Sequence, residues 1–223
     1  MKGEACLPHS SLYRALQQEP PLHLSSSCWE GLHLEPSLES SSSLSMDTNR
    51  ILAAINAHRR RHGAEDLQWD PACAAAAQNW ANCGQFLREQ DNGRFGENLA
   101  VSDSSYDVTY EITNAINMWQ LEGRAYDYNN PGFSSRSGNF SQNVWRSTTR
   151  VGFGFGSAVD QYGRYWPSFV VAKFSAPGNI EGNFETNVLP PGSIASRDEE
   201  GAQTTVTTET CQKRSTTPSR RDR

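Results

Sequence analysis

Two histidines, two acids and one aromatic stretch are the parts of this sequence that could carry chemistry. His58 and His62 lie four residues apart in NAHRRRHG, the spacing with which one helix face offers two ligands to zinc. Between them stand Arg59, Arg60 and Arg61, and no glutamate follows His58. Cations beside a metal oppose it electrostatically, so the pair reads as the edge of a hydrophobic stripe. No histidine occurs after His62, so a Ser-His-Asp triad or a Cys-His pair would have to draw on these two. GxSxG elbow, Walker loop and dinucleotide fingerprint are absent from the sequence.

Glu97, in GENLA, follows Gly96 and precedes Asn98. It is expected at a turn or helix start, where a carboxylate bonds backbone N–H groups. Glu122, in MWQLEG, ends a helical segment, where the macrodipole disfavours an anion, so another group must hold it. A hydrolase built on these two acids would need one raised and one ordinary pKa. Residues 138–154, GNFSQNVWRSTTRVGFG, set aromatic and short polar side chains between glycines and contain no histidine, cysteine or acid. They look like the wall of a site and not like plain core.

The elements that must position these groups follow from periodicity. DTNRILAAINAHRRRHG places Asp47 or Thr48 at an N-cap, Ile51, Ile55, His58 and His62 on one stripe, and Gly63 at the C-cap. DPACAAAAQNWANCG is a second helix, capped by Asp70, opened by Pro71, stopped at Gly84, and small enough in its side chains to pack closely. Val108, Ile112, Ile116 and Trp119 give residues 107–122 helical spacing. In VGFGFGSAV, Val151, Phe153 and Phe155 share one face of a strand and glycines line the other, where something must pack closely. SFVVAKF at 168–174 is a second strand, joined to the first by DQYG. Helices first and a hairpin last make the class α+β, with helices stacked on an antiparallel sheet.

With 223 residues, 36% hydrophobic, the chain suits one domain with appendages. Residues 1–46 and 192–223, rich in Ser or Thr and poor in burying side chains, read as a disordered leader and tail around a domain at 47–191. That domain holds 12 basic and 15 acidic side chains, which argues against a nucleic-acid partner. No apolar run approaches the roughly 20 residues of a membrane span, and the first residues lack the apolar core of a secretory signal. Five cysteines, three of them in the presumed leader and tail, do not suggest a disulfide framework. These features lead us to expect a chain that stays inside the cell.

NAHRRRHG, LQWDPACAAAAQNWANC, FGENLA, MWQLEGRAYDYNNPGF, GNFSQNVWRSTTRVGFG and FVVAKFSAPGNIEGNFETNVLPP occur in that order. In types and order they resemble the CAP superfamily of cysteine-rich secretory, antigen 5 and pathogenesis-related proteins across residues 48–191. The resemblance implies a three-layer α-β-α sandwich with a central, mainly antiparallel sheet. It also implies a cleft tetrad of two glutamates and two histidines able to hold zinc. The glutamates fall on Glu97 and Glu122. One histidine position falls within CGQFLREQDNGRFGENLA, where Arg88 or Glu89 is the nearest counterpart, and the other is filled by Asn139. An amide binds zinc poorly, and two carboxylates without imidazole suit hard cations better. The resemblance therefore implies a degenerate tetrad of Glu97, Glu122, Asn139 and Glu89, with no catalytic residue, no metal and no cofactor, and with Glu97, Glu122 and Asn139 able to form a stabilising polar network.

Secreted relatives of this kind place a cysteine where Phe153 and Ala172 stand here. FVVAKFSAPGN and NFETNVLPP resemble instead the Golgi-associated plant pathogenesis-related protein branch, which implies an intracellular, disulfide-poor protein. That branch is acylated on a glycine directly after Met1, where this chain has Lys2, with its first glycine at Gly3. The expected function is a non-enzymatic binding module for a lipid, a sterol or a protein partner, a second copy included. A hydrolase using Glu97 and Glu122, and a scaffold acting through its tails, are the alternatives. The expected location is cytoplasmic or peripheral to the Golgi membrane, or extracellular if residues 1–46 reflect a misjudged start.

Overall fold

Three aspartates start the three long helices. The computed structural model describes residues 13–15 and 46–193. Helix α1 (Thr48–Arg61) is capped by Asp47, whose side chain accepts from Arg50 N at 3.0 Å. Helix α2 (Pro71–Asn82) begins where Asp70 Oδ1 accepts from Ala72 N at 2.8 Å and Cys73 N at 2.9 Å. Helix α3 (Val108–Leu121) starts at Asp107, which accepts from Tyr110 N. Each cap satisfies N–H groups that have no partner within the helix.

These helices sandwich one sheet. It contains β1 (Tyr13–Ala15), β2 (Gln68–Trp69), β3 (Gly96–Ser102), β4 (Arg150–Val159) and β5 (Tyr165–Ser175) in the order β1-β3-β5-β4-β2. Every neighbouring pair is antiparallel except β2 with β4. On one face Ile51 and Ile55 of α1 and Ile112, Ile116 and Trp119 of α3 pack on Phe153, Val170, Ala172 and Phe174. On the other, Ala77 and Ala81 of α2 pack on Leu99, Val101, Phe169 and Val171. The α-β-α sandwich implied by the motifs is what forms. The short helices α4 (Gly138–Asn143) and α5 (Phe184–Asn187) bring Phe140, Val144, Trp145, Phe184 and Val188 into a third cluster with Tyr126.

The glycine face of β4 meets α2 as its period suggests. A Cβ at Gly152 would collide with the backbone of Ala74, one at Gly154 with the backbone of Ala77, and one at Gly156 would stand 3.1 Å from Ala81 O. Glycines at every second strand position thus face alanines at 74, 77 and 81, so that helix backbone rests on strand backbone.

Two expectations need correction. GENLAVS is strand β3 inside the sheet, so Glu97 sits on a strand and not at a turn or helix start. Apolar layers cover both faces of this strand and nearly every position is buried, which erases the alternation by which a strand is recognised. Within the presumed disordered leader, Tyr13–Ala15 pairs with Ala100–Ser102 on the outer edge of β3, where the ladder groups are open to any backbone. The remainder of the leader and residues 194–223 of the tail lie outside the described residues. At the tail's start Gly192 N donates to Arg61 O at 2.7 Å and Ser193 forms a bridge with His62.

Gly154→Ala is expected to destabilise the domain by at least about 2 kcal/mol in urea denaturation, because backbone and not a flexible side chain occupies the Cβ position. Gly163→Ala, at φ 79° with open space around it, should cost only about 1 kcal/mol. Equal costs at the two positions would contradict the close approach of α2.

Candidate functional site

Glu122 caps α3 and opens a 3₁₀ turn, Glu122–Ala125. Its own helix dipole repels it, and the group that holds it is the start of α4. Oε2 accepts from Asn139 N at 3.0 Å and Phe140 N at 3.2 Å, while Oε1 accepts from Asn139 Nδ2 at 2.8 Å. Ser137, at the cap position of α4, makes no side-chain capping bond, so the carboxylate of Glu122 acts as that helix's cap from a distance in sequence. Burial pushes the Glu122 carboxyl above its ordinary pKa, and the Asn139 and Phe140 donors and the Arg88 charge oppose that rise.

Glu97 stands opposite Lys173 in the β3–β5 register, so their side chains share a face. Lys173 Nζ lies 2.8 Å from Glu97, 2.6 Å from Glu89 and 3.5 Å from Asp91, with the lysine side chain wholly buried. Burial lowers the Lys173 pKa, but the charge of Glu97 leads a larger opposing pull from Glu97 and Glu89 that leaves it raised. Arg88 Nη1 donates to Glu97 O at 2.8 Å and lies 3.5 Å from its carboxylate. Burial depresses the Arg88 guanidinium while the charges of both Glu97 and Glu122 support it. The four residues singled out in the sequence therefore form two pairs, Glu122 with Asn139 and Glu97 with Glu89, and Arg88 connects the pairs electrostatically. Among the described residues no three His, Cys, Asp or Glu side chains are grouped as a metal-ligand set. Glu89, Asp91 and Glu97 converge instead on an ammonium group.

The histidine pair is occupied by structure. His58 Nε2 bonds Asn117 Oδ1 at 2.9 Å, His62 Nδ1 bonds Leu189 O at 2.8 Å, and burial lowers both pKa values. Between them, Arg59 is fully buried, a residue the stripe reading passed over. Its guanidinium donates to four carbonyls, Glu65 O at 2.7 Å, Asn143 O at 2.8 Å, Trp145 O at 3.0 Å and Thr148 O at 2.8 Å. Burial brings its pKa down to about 10, opposed by Asp66 and Glu65. The available signal was position, since Arg59 follows Ile51 and Ile55 at steps of four. Lys173 likewise shares strand parity with the buried Phe169 and Val171.

Residues 138–145 are all buried and are not the open wall that their composition suggests. They are an inward-facing knot: Asn98 Nδ2 donates to Asn139 O and Asn143 Oδ1, and Gln142 Oε1 accepts from Gly178 N at 2.7 Å. The open space lies next door. A cavity of about 450 Å³ is lined by Ala125, Tyr126, Asp127, Asn130, Pro131, Gly132, Phe133, Ser134, Ser137 and Glu181. None of Glu89, Glu97, Glu122 and Asn139 lines it.

Residues 52–174, over half of the chain, match the family model "CAP: Cysteine-rich secretory protein family". The chain belongs to the CAP family. This CAP domain is 36% identical over 151 residues to Golgi-associated plant pathogenesis-related protein 1 of Homo sapiens, covering 64% of this chain and 92% of that protein. It is 34% identical over 143 residues to Protein PRY2 of Saccharomyces cerevisiae, covering 61% of this chain but spanning only 40% of the yeast protein's length. The crystal structure of NaASP2 with Zn²⁺ superposes with a TM-score of 0.54 at 20% identity, over 65% of this chain and 85% of that one, and shares the fold. Phe153 and Ala172, where secreted relatives are expected to carry cysteines, are register partners on β4 and β5 and belong to the core. Among the described residues Cys73 and Cys83 form no disulfide.

Lys173→Met removes the cation shared by three carboxylates and is expected to cost about 3–5 kcal/mol at pH 7. In that variant the buried Glu97 carboxyl, which burial holds above its ordinary pKa, has lost its cation, so stability returns as pH falls through the folded value towards the unfolded range. The wild type has the same sign at the other end of the scale. The Lys173 pKa is raised above 10.5, so its contribution is complete below that value and is lost as pH climbs through the folded value. Denaturation of both proteins at pH 7 and pH 5 checks this, and an unchanged deficit at the lower pH would contradict it.

Proposed function

We propose that this CAP domain is a non-enzymatic binding module with a degenerate metal site, and that its guest is a lipid, a sterol or a protein partner. The observation that carries the reading is the occupation of both cleft acids by the chain itself. Glu122 is held by α4 backbone N–H groups and Asn139, and Glu97 by Lys173 and Arg88. A general base must reach a substrate proton, and a metal must find lone pairs that are not already engaged. The hydrolase alternative would require one of these acids to leave its partners.

The apolar part of a guest finds support at Phe133, 38% exposed, and at Ile180, 47% exposed and next in the chain to the cavity residue Glu181. No helix among the described residues is long and apolar enough to cross a membrane. Attachment to a membrane would therefore have to come from such surface side chains, from segments outside the described residues, or from a partner. The reading includes an intracellular location at the Golgi periphery, supported by 36% identity to a Golgi-associated relative, with secretion as the alternative.

Flotation of the full chain with phosphatidylcholine vesicles, with and without sterol, tests the lipid and sterol reading. Saturable binding is expected, weakened about tenfold or more in a Phe133→Ser, Ile180→Ser double variant, as loss of buried apolar surface requires. No saturable binding to either vesicle type would contradict it, and peptide or ester turnover abolished by Glu122→Gln would favour the hydrolase.

A further inference from the structure

The outer edge of β3 is closed in two different ways along its length. Arg88 Nη1 donates to Glu97 O at 2.8 Å, and Trp119 Nε1 donates to Leu99 O at 3.2 Å. Neighbouring residues of a strand direct their backbone groups to opposite sides, so the odd-numbered residues of β3 turn theirs away from β5 and towards the outer edge. Val101 is the next of them, and the residue opposite it is Arg14 of β1. An antiparallel pair in that position exchanges both backbone bonds, Arg14 N–H to Val101 O and Val101 N–H to Arg14 O. Side chains of the domain thus close the edge at 97 and 99, and a strand brought from the leader closes it at 101.

That strand is a detachable cover. It is three residues long, and residues 16–45 separate it from the start of the domain. A pairing so short has little stability of its own. A tether of that length holds its strand at a local concentration on the order of 1 mM, which a competing segment can exceed or outbind. Ala100, Val101 and Ser102 are themselves buried, at 0%, 1% and 0% exposure. What their outer edge offers a newcomer is main chain, and an open ladder position accepts any extended backbone.

We propose that the outer edge of β3 at Ala100–Ser102 is a docking site for an extended peptide segment of a protein partner, with residues 13–15 as its guard. The guard pairs in cis until such a segment displaces it. The incoming segment runs antiparallel to β3 and carries a backbone N–H opposite Val101, which excludes proline there. This deepens the protein-partner part of the proposed function and rests on it. The lipid and sterol readings concern other side chains.

The probe is a synthetic peptide of residues 10–18, SSLYRALQQ, titrated into the isotopically labelled full chain and followed by NMR. In the Arg14→Pro chain the guard lacks the N–H that Val101 O requires. The peptide should bind that chain with a Kd of about 0.1 mM and shift the Val101 amide resonance. The wild type should bind it about tenfold more weakly, as a competing strand at a local concentration of about 1 mM dictates. Without peptide, the Val101 amide should exchange with solvent at least about tenfold faster in the Arg14→Pro chain than in the wild type. A peptide that itself carries Arg14→Pro should bind neither chain. The proposal is overturned if the unaltered peptide fails to bind the Arg14→Pro chain, if both chains bind it alike, if the Arg14→Pro peptide binds as well, or if Val101 exchanges alike in both chains. The peptide reads the edge without any partner present, so failure here would leave a protein partner on another surface untouched, and vesicle flotation decides the lipid and sterol readings separately.

Discussion

A charge taken out of water must be answered by groups of the same chain, and this domain is organised around three such answers. Glu122 finds its donors at the start of α4. Lys173 gathers Glu89, Asp91 and Glu97. Arg59 closes four carbonyls of the segments around α4 and α1. Most of these contacts join elements far apart in sequence, and each would be costly to break from one side only. Glu122 and Glu97 are thus joints of the fold: α3 to α4 in one case, β3 and β5 to the 88–91 loop in the other.

This use of the acids has a consequence for chemistry. A carboxylate whose oxygens accept from fixed backbone donors has little freedom to take a proton from a substrate or to enter a metal's coordination shell. Arg88 reinforces the point, with its guanidinium 3.5 Å from the Glu97 carboxylate and its charge felt by Glu122 as well. A neighbouring cavity has walls from residues 125–137 and Glu181 that include none of the paired acids. The charged network ties these elements together, and the loop beside it presents Asp127, Asn130 and Phe133 to solvent.

Much of the architecture was legible from local rules. Asp47 and Asp70 announced helix starts, and the alternating glycines of β4 announced the close approach of the alanine-rich α2, because both signals act over a few residues. β3 escaped for the opposite reason, since burial on both faces removes the alternation that marks a strand. The site was legible only in part. Glu122 required an outside partner by the helix-dipole argument, and the partner proved to be α4. Arg59 and Lys173 stayed hidden because a cation in an apolar pattern reads as solvent-facing, and only the carbonyls and carboxylates brought by distant segments make its burial tolerable. The composition of residues 138–154 suggests a wall, yet the short polar side chains of 138–145 serve equally well to satisfy buried polar groups, which is their role here.

Calorimetric titration of the full chain with zinc at neutral pH tests most directly whether Glu97 and Glu122 are taken. The account predicts no micromolar binding that depends on Glu97 or Glu122, with identical isotherms for the wild type, Glu97→Gln and Glu122→Gln. A one-to-one micromolar site in the wild type that disappears in both variants would contradict it.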